Sequence, residues 1–203
     1  MKIICIGRNY TEHAKELNNP VPEKPVFFMK PDSALLLKNR HFFIPEFSND
    51  VHHEIELVVR INRLGKHIEK QFAHRYYNEI GLGVDFTARD IQKECKAKGL
   101  PWEISKAFDH SAVLSNFKKK SELGNLTNLN FELLKNNKVV QSGNSGDMLF
   151  QIDELIEYLS QYVTLKIGDL IYTGTPAGVG PVKINDHLIG KLEGETMFDF
   201  MVK

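Results

Sequence analysis

The sequence predicts an α+β fold, mixed β with peripheral helices, and three observations carry that expectation. Strand-like runs outnumber helical ones, they do not alternate with helices as in a doubly wound sheet, and 203 residues of ordinary globular composition suffice for a buried core. No internal repeat and no long Gly/Ser/Pro linker divides the chain, so residues 1–203 are read as a single domain.

The opening strand, Ile3 to Ile6, stops at Gly7-Arg8 and is too short for the apolar region of a signal peptide. A short helix follows, because Asn9 with Glu12 has the spacing of a capping box and Tyr10, Ala14 and Leu17 share a face. His13 and Glu16, three apart, lie side by side on its flank, within reach of one small molecule. Three prolines make residues 19–25 an extended connection. From His53 to Ile61 the chain alternates, with Ile55, Leu57, Val59 and Ile61 on one face and Glu54, Glu56, Val58 and Arg60 on the other. That is a strand with one buried side. Ile80 to Phe86 is a second strand, and Thr87 caps a helix that ends at Gly99, before Pro101. Asn136-Asn137, residues that tolerate positive φ, join Phe131–Leu134 to Lys138–Gln141 as a hairpin. Ile152, Leu155, Ile156 and Leu159 mark an amphipathic helix. Strands at Leu170–Thr173, His187–Leu192 and Thr196–Val202 follow it, the last with Phe198, Phe200 and Val202 on one face.

Lys plus Arg and Asp plus Glu both number 26, so no net basic field exists for a nucleic-acid backbone. No apolar stretch is long enough to span a bilayer. Cys5 and Cys95 are too few for a disulfide framework and lack CxxC spacing, which points to a reducing compartment, most simply the cytoplasm.

His52-His53-Glu54-Ile55-Glu56 is the most informative stretch. Carboxylates at i and i+2 of a strand project from one face about 6 to 7 Å apart and repel unless solvent or a cation intervenes. The pair is either a solvated strand face or part of a divalent-metal site, and oxygen ligands without cysteine favour magnesium, manganese or calcium over zinc. Asp85, ending an apolar strand before a helix, is a third ligand or a helix-start residue. Arg89 and Gln92 share a helix face that is either solvated or offers a carboxylate fork and an orienting amide. Thr173 to Gly180 lacks the marks of a P-loop or a Rossmann turn; it either presents backbone N–H groups to an anion or makes a tight connection.

Several motifs occur in a fixed order: Gly7-Arg8-Asn9-Tyr10 with His13 and Glu16, Phe28-Met29-Lys30-Pro31, His53-Glu54-Ile55-Glu56-Leu57, and Asp85-Phe86-Thr87-Ala88-Arg89-Asp90. Lys98-Gly99-Leu100-Pro101-Trp102, Gly168-Asp169 and Thr173-Gly174-Thr175-Pro176 then follow. Together, from about Ile6 to the last strand, they resemble the fumarylacetoacetate hydrolase family. The resemblance is closest to its short branch of acylpyruvate hydrolases and oxaloacetate decarboxylases.

The resemblance implies a rolled mixed sheet, usually assembled as a homodimer. It implies that Glu54, Glu56 and Asp85 bind Mg²⁺ or Mn²⁺, with Ca²⁺ a possible occupant in crystals, and that His13 and Glu16 form a catalytic pair on a mobile lid. Lys106 would stabilise a developing oxyanion, Arg89, Gln92 and Thr175 would hold the substrate, and Lys30 would lie near the site. The implied reaction is metal-dependent hydrolysis of a C–C bond in acylpyruvate-type 2-oxo acids through a pyruvate enolate, or oxaloacetate decarboxylation or tautomerisation at the same site. The alternatives are a hydratase or isomerase of unsaturated 2-oxo diacids, of the 2-hydroxyhepta-2,4-diene-1,7-dioate type, and a non-catalytic 2-oxo acid binder. In each case the partner is a small 2-oxo acid rather than nucleic acid or membrane. Ser145-Gly146 stands where the family pattern has Thr and a polar residue, which moves or removes a hydroxyl near the distal pocket. The length leaves no room for the extra N-terminal domain of fumarylacetoacetase itself.

Overall fold

A computed structural model describes residues 1–16, 21–37 and 39–203, and of Ala14 and Lys15 the backbone alone. The apolar helix face expected through Ala14 and Leu17, and Pro20 of the connection, lie outside the described residues or side chains.

Among the described residues the strands form three sheets. The largest is mixed and curled, in the spatial order β2 (Val26–Lys30), β1 (Ile3–Gly7), β12 (Leu170–Tyr172), β5 (Ile55–Ile61), β6 (Tyr77–Asp85), β8 (Ala112–Leu114) and β3 (Leu35–Leu37), with β9 (Lys118–Lys119) also paired to β6. Only β1 with β12 and β3 with β8 run parallel in it. An antiparallel sheet of β11 (Lys138–Asn144), β10 (Asn130–Lys135), β14 (His187–Leu192) and β15 (Glu195–Met201) packs against β5 and β6. A small third sheet joins β13 (Gly180–Pro181), β4 (Val51–His53) and β7 (Thr87–Ala88). The helices are peripheral: α1 (Thr11–Glu16), α2 (Lys70–Ala73), α3 (Arg89–Lys98), α4 (Glu103–Lys106) and α5 (Ile152–Tyr162).

The alternation in β5 places Ile55, Leu57, Val59 and Ile61 in the main core, beside Ile80, Leu82 and Val84 of β6 and Phe198 and Phe200 of β15. Most of the other face is buried too, with only Arg60 partly exposed, which corrects the expectation of a single buried side. Glu54, Glu56 and Val58 are all buried, and Val58 packs with Ile3, Cys5, Leu114 and Tyr172 in a second cluster. Alternation marks the apolar side chains; it does not say what covers the polar ones. The strand also breaks at Glu54, where β4 leaves the large sheet to pair with β7 and β13, so Glu54 stands at a corner.

Two helix starts differ from expectation. The fully buried Asn9 does not cap α1; its amide donates to the carbonyls of Phe150 (3.0 Å) and Thr173 (2.7 Å) and accepts the Phe150 N–H (2.8 Å). It thereby ties the root of α1 to two distant loops. Thr87 is not a cap either, because it lies in β7 and α3 begins only after Ala88. Its end is as expected, with Gly99 in the left-handed region at φ 65°. Asn136 and Asn137 turn the hairpin at φ 53° and 64°, and α5 starts where Glu154 accepts the Gln151 N–H (2.8 Å).

Candidate active site

Glu54 lies at the β4–β5 corner, Glu56 on β5 and Asp85 at the end of β6, where the Asp85 N–H donates to the Glu54 carbonyl at 2.8 Å. One oxygen from each carboxylate lies within 4.8 Å of the others, and all three groups are buried. Octahedral Mg²⁺ with bonds near 2.1 Å sets its ligand oxygens no more than roughly 4.2 Å apart, a spacing close to that of this trio, which would hold such an ion. The donor set is hard oxygen throughout, which suits Mg²⁺ and Mn²⁺.

The electrostatics divide the trio. Burial, then Asp85 and Glu54, push the Glu56 carboxyl well above the ordinary range. A divalent cation relieves that conflict. Burial also acts against ionisation of Glu54, but Lys106 and Arg89 outweigh it and hold Glu54 well below the ordinary range. Lys106, brought in by α4, sets its Nζ 2.8 Å from Glu54 Oε2 and 2.7 Å from Asp85 Oδ2. Burial disfavours its charge, and the two carboxylates more than restore it. Arg89 pairs with the other Glu54 oxygen and donates to Gln92 Oε1 at 2.7 Å, so the two helix-face residues of α3 point inward together. Lys30, fully buried, reaches Asp85 Oδ1 at 2.6 Å and donates to the Ser111 hydroxyl and carbonyl, both at 2.9 Å.

The glycine-rich turn does present an N–H group to an anion, and the anion is the protein's own. Gly174 N–H donates to Glu56 Oε2 at 2.7 Å. Gly174 adopts φ 98°, and a Cβ there would meet the Asn9 Cβ at 2.7 Å, so no other residue fits without displacement. On α1, His13 Nδ1 lies 3.2 Å from Glu16 Oε2, while Glu16 Oε1 accepts the Gly178 N–H at 3.1 Å. The short helix is thus seated over the turn. His13 is buried and close enough to Glu54 to act on its ionisation.

His13, Glu54, Glu56, Asp85, Arg89, Gln92, Lys106 and Thr175 all line one cavity of about 40 Å³, with Glu16 behind His13. The nine expected site residues therefore converge. Ser145 does not line this cavity; its hydroxyl donates to the Leu126 carbonyl and accepts the Leu129 N–H, both at 2.8 Å. In this chain it closes a turn.

Sequence reasoning missed two parts of the site. Arg8, Lys96 and Trp102 also line the cavity, and two of them lie inside quoted motifs without an assigned role. Gln141 of β11 donates to Thr175 Oγ1 (2.9 Å) and to the Pro176 carbonyl (3.0 Å), and its own oxygen accepts the Ile55 N–H (3.0 Å) and meets His53 Nδ1 (2.9 Å). Burial holds the His53 imidazole down to about 4, so it is neutral at pH 7. A glutamine amid alternating hairpin residues offers no local signal, since its partners are 34 to 88 residues away in sequence.

The chain matches the model of the family "Fumarylacetoacetate (FAA) hydrolase C-terminal" over residues 2–198. It is 41% identical to a mitochondrial oxaloacetate decarboxylase of Dictyostelium discoideum, covering 100% of this chain and 94% of the relative. It is 40% identical to a mitochondrial oxaloacetate tautomerase of Mus musculus, covering 99% and 91%. The structure superposes on fumarylpyruvate hydrolase from Pseudomonas aeruginosa, crystallised with Mn²⁺ and pyruvate, with a TM-score of 0.94 at 32% identity, covering 100% and 89%. The chain belongs to the fumarylacetoacetate hydrolase family. Its similar relatives include enzymes named for oxaloacetate and fumarylpyruvate chemistry.

Proposed function

We propose that the protein is a divalent-metal-dependent enzyme of small 2-oxo acids that interconverts the keto and enol forms of oxaloacetate. The observation that carries this reading is a buried trio of carboxylates facing His13 across a cavity of only about 40 Å³. When bound, Mg²⁺ or Mn²⁺ would supply Lewis acidity toward the carboxylate and keto oxygens of the substrate. Every other part of the chemistry comes from the chain. His13, with Nδ1 turned to Glu16, keeps Nε2 for removing and returning the proton at C3. The Lys106 ammonium, fixed between Glu54 and Asp85, faces the oxygen on which negative charge develops. Arg89, Gln92 and the Thr175 hydroxyl orient the substrate, with Thr175 held in turn by Gln141.

Loss of CO₂ from oxaloacetate gives the enolate of pyruvate without any water attack, so decarboxylation is a second outcome of the same arrangement. Hydrolysis of an acylpyruvate is the other reading, favoured by the His13–Glu16 pair, which suits deprotonation of a water that attacks the distal carbonyl. The proposal includes a single catalytic domain, a homodimer, which light scattering checks, and a cytoplasmic address, which fractionation checks against the mitochondrial names of two relatives.

The test is to follow the enol absorbance of oxaloacetate, and pyruvate release from oxaloacetate, acetylpyruvate and fumarylpyruvate, each with Mg²⁺ and with a chelator. Metal-dependent enol decay faster than pyruvate release supports tautomerisation. Release from an acylpyruvate supports hydrolysis, and inertness toward all three overturns the proposal.

A further inference from the structure

Among the described residues, two cations of the cavity wall remain once its ion pairs with Glu54 and Asp85 are made. Arg89 is matched with Glu54, and Lys106 with Glu54 and Asp85. Arg8 and Lys96 line the same cavity, yet among the described residues neither has a carboxylate within ion-pair distance. Lys96 instead sets its Nζ 5.3 Å from the centre of the Trp102 ring, a contact that steers a cation without neutralising it. Burial and the nearby charges of Arg8, Arg89 and Lys106 all act against its ionised form, so positive charge is crowded here. Arg8 adds a backbone oddity, with φ at 60°, a left-handed conformation rare for a long side chain and common where structure is strained for function. It lies between β1 and α1, the helix that carries His13.

Among the described residues the wall holds three carboxylates and four cationic side chains besides His13. A divalent ion among the carboxylates makes that wall strongly positive, more than a monoanionic 2-oxo acid neutralises. We propose that Arg8 and Lys96 receive a second carboxylate, so that the site selects dianionic 2-oxo acids over monoanionic ones. This rests on the enzymatic reading above: the 2-oxo carboxylate goes to the Glu54, Glu56 and Asp85 end, and the distal carboxylate goes to Arg8 and Lys96. Planar pairing with Arg8 and a point charge from Lys96 fit one carboxylate between them.

Trp102 is the chain's single tryptophan and lines the cavity, so its fluorescence reports binding without turnover. Stopped-flow titrations in Mg²⁺ compare pyruvate with fresh oxaloacetate, which differ by the distal carboxylate alone. The wild-type protein is expected to bind oxaloacetate at least ~10-fold more tightly, and Arg8→Gln and Lys96→Gln are each expected to weaken oxaloacetate by about 10-fold. Pyruvate affinity stays within about twofold in both variants, which also shows that they are folded. Arg8→Lys, which keeps the charge, recovers part of the loss. Equal weakening of both ligands, or undiminished oxaloacetate affinity in both variants, overturns the proposal. Failure of the wild-type protein to bind either ligand overturns the enzymatic reading itself and removes the basis of this one.

Discussion

The two ends of the cavity are built differently. At one end Glu54, Glu56 and Asp85 are placed by the paired strands β5 and β6 and the corner before β5, and Lys30, Lys106 and Arg89 hold Glu54 and Asp85. At the other, His13 rides on a six-residue helix that Asn9 anchors at its root and the Glu16 bond to Gly178 at its tip. A six-residue helix is far too short to be stable on its own, so its position depends on those few ties. On the proposed function, the sheet end would fix the head group and the ion, while the end that carries His13 would decide which bond changes. Such a division would let one carboxylate site serve tautomerisation, decarboxylation and hydrolysis with changes confined to the short helix.

The largest effect expected is at the sheet end. Glu56→Gln keeps an acceptor for Gly174 N–H but removes a charge from the trio. Metal-dependent turnover should fall by roughly 10³-fold or more, with Mg²⁺ affinity weakened in calorimetry. Unchanged affinity would separate Glu56 from the metal. At the helix end, His13→Asn should lower turnover by about 10² to 10⁴-fold with Mg²⁺ affinity intact. If His13→Asn weakened Mg²⁺ as much as Glu56→Gln, the two ends would act as one unit and the division above would fail.

Much of this was legible in the chain, and unevenly so. The Glu54–Glu56 spacing and the His13–Glu16 spacing are local, and the structure keeps both. The hairpin at Asn136-Asn137 and the stop at Gly99 were legible for the same reason: each depends on a single backbone conformation. Asn9 and Thr87 misled because cap residues are also good partners for distant groups, and tertiary contacts claimed or displaced them. The burial of the Glu54–Glu56 face was not readable, since its cover comes from α1, α3 and α4. The role of Gln141, and the lack of a carboxylate partner for Arg8 and Lys96 among the described residues, appear only once segments far apart in sequence are brought together.

A smaller effect sharpens the comparison from outside the cavity. Gln141→Leu leaves the Ile55 N–H and the Thr175 hydroxyl without their partner in a buried setting. Stability in urea should fall by roughly 1 to 3 kcal/mol. KM should rise more than kcat falls, because on the proposed function Gln141 would act on the substrate only through Thr175. A kcat loss as large as that of His13→Asn would place Gln141 nearer the chemistry than its contacts do.

The smallest effect on turnover, and a distinct one on stability, is expected at Asp169, remote from both ends. Its carboxylate accepts the N–H groups of Lys2 and Lys166, both at 2.8 Å, and pairs with the Lys2 ammonium. Burial alone would raise its affinity for a proton, but the bonds from Lys2 and Lys166 outweigh burial and hold the carboxyl below the ordinary aspartate value. A value depressed by folding means that the unfolded chain takes up the proton first as pH falls. The stabilisation is thus fully present above about pH 4 and is lost as pH drops through the folded value. Asp169→Asn should therefore destabilise the protein at pH 7 by roughly 1 to 3 kcal/mol while flattening the acid limb of stability against pH. Because Asp169 immediately precedes β12, which lies between β1 and β5, the same variant also asks how firmly the sheet end is held. Unaltered kcat with reduced stability would show that the carboxylate geometry survives loss of this anchor. A fall in Mg²⁺ affinity would show instead that the sheet end depends on it.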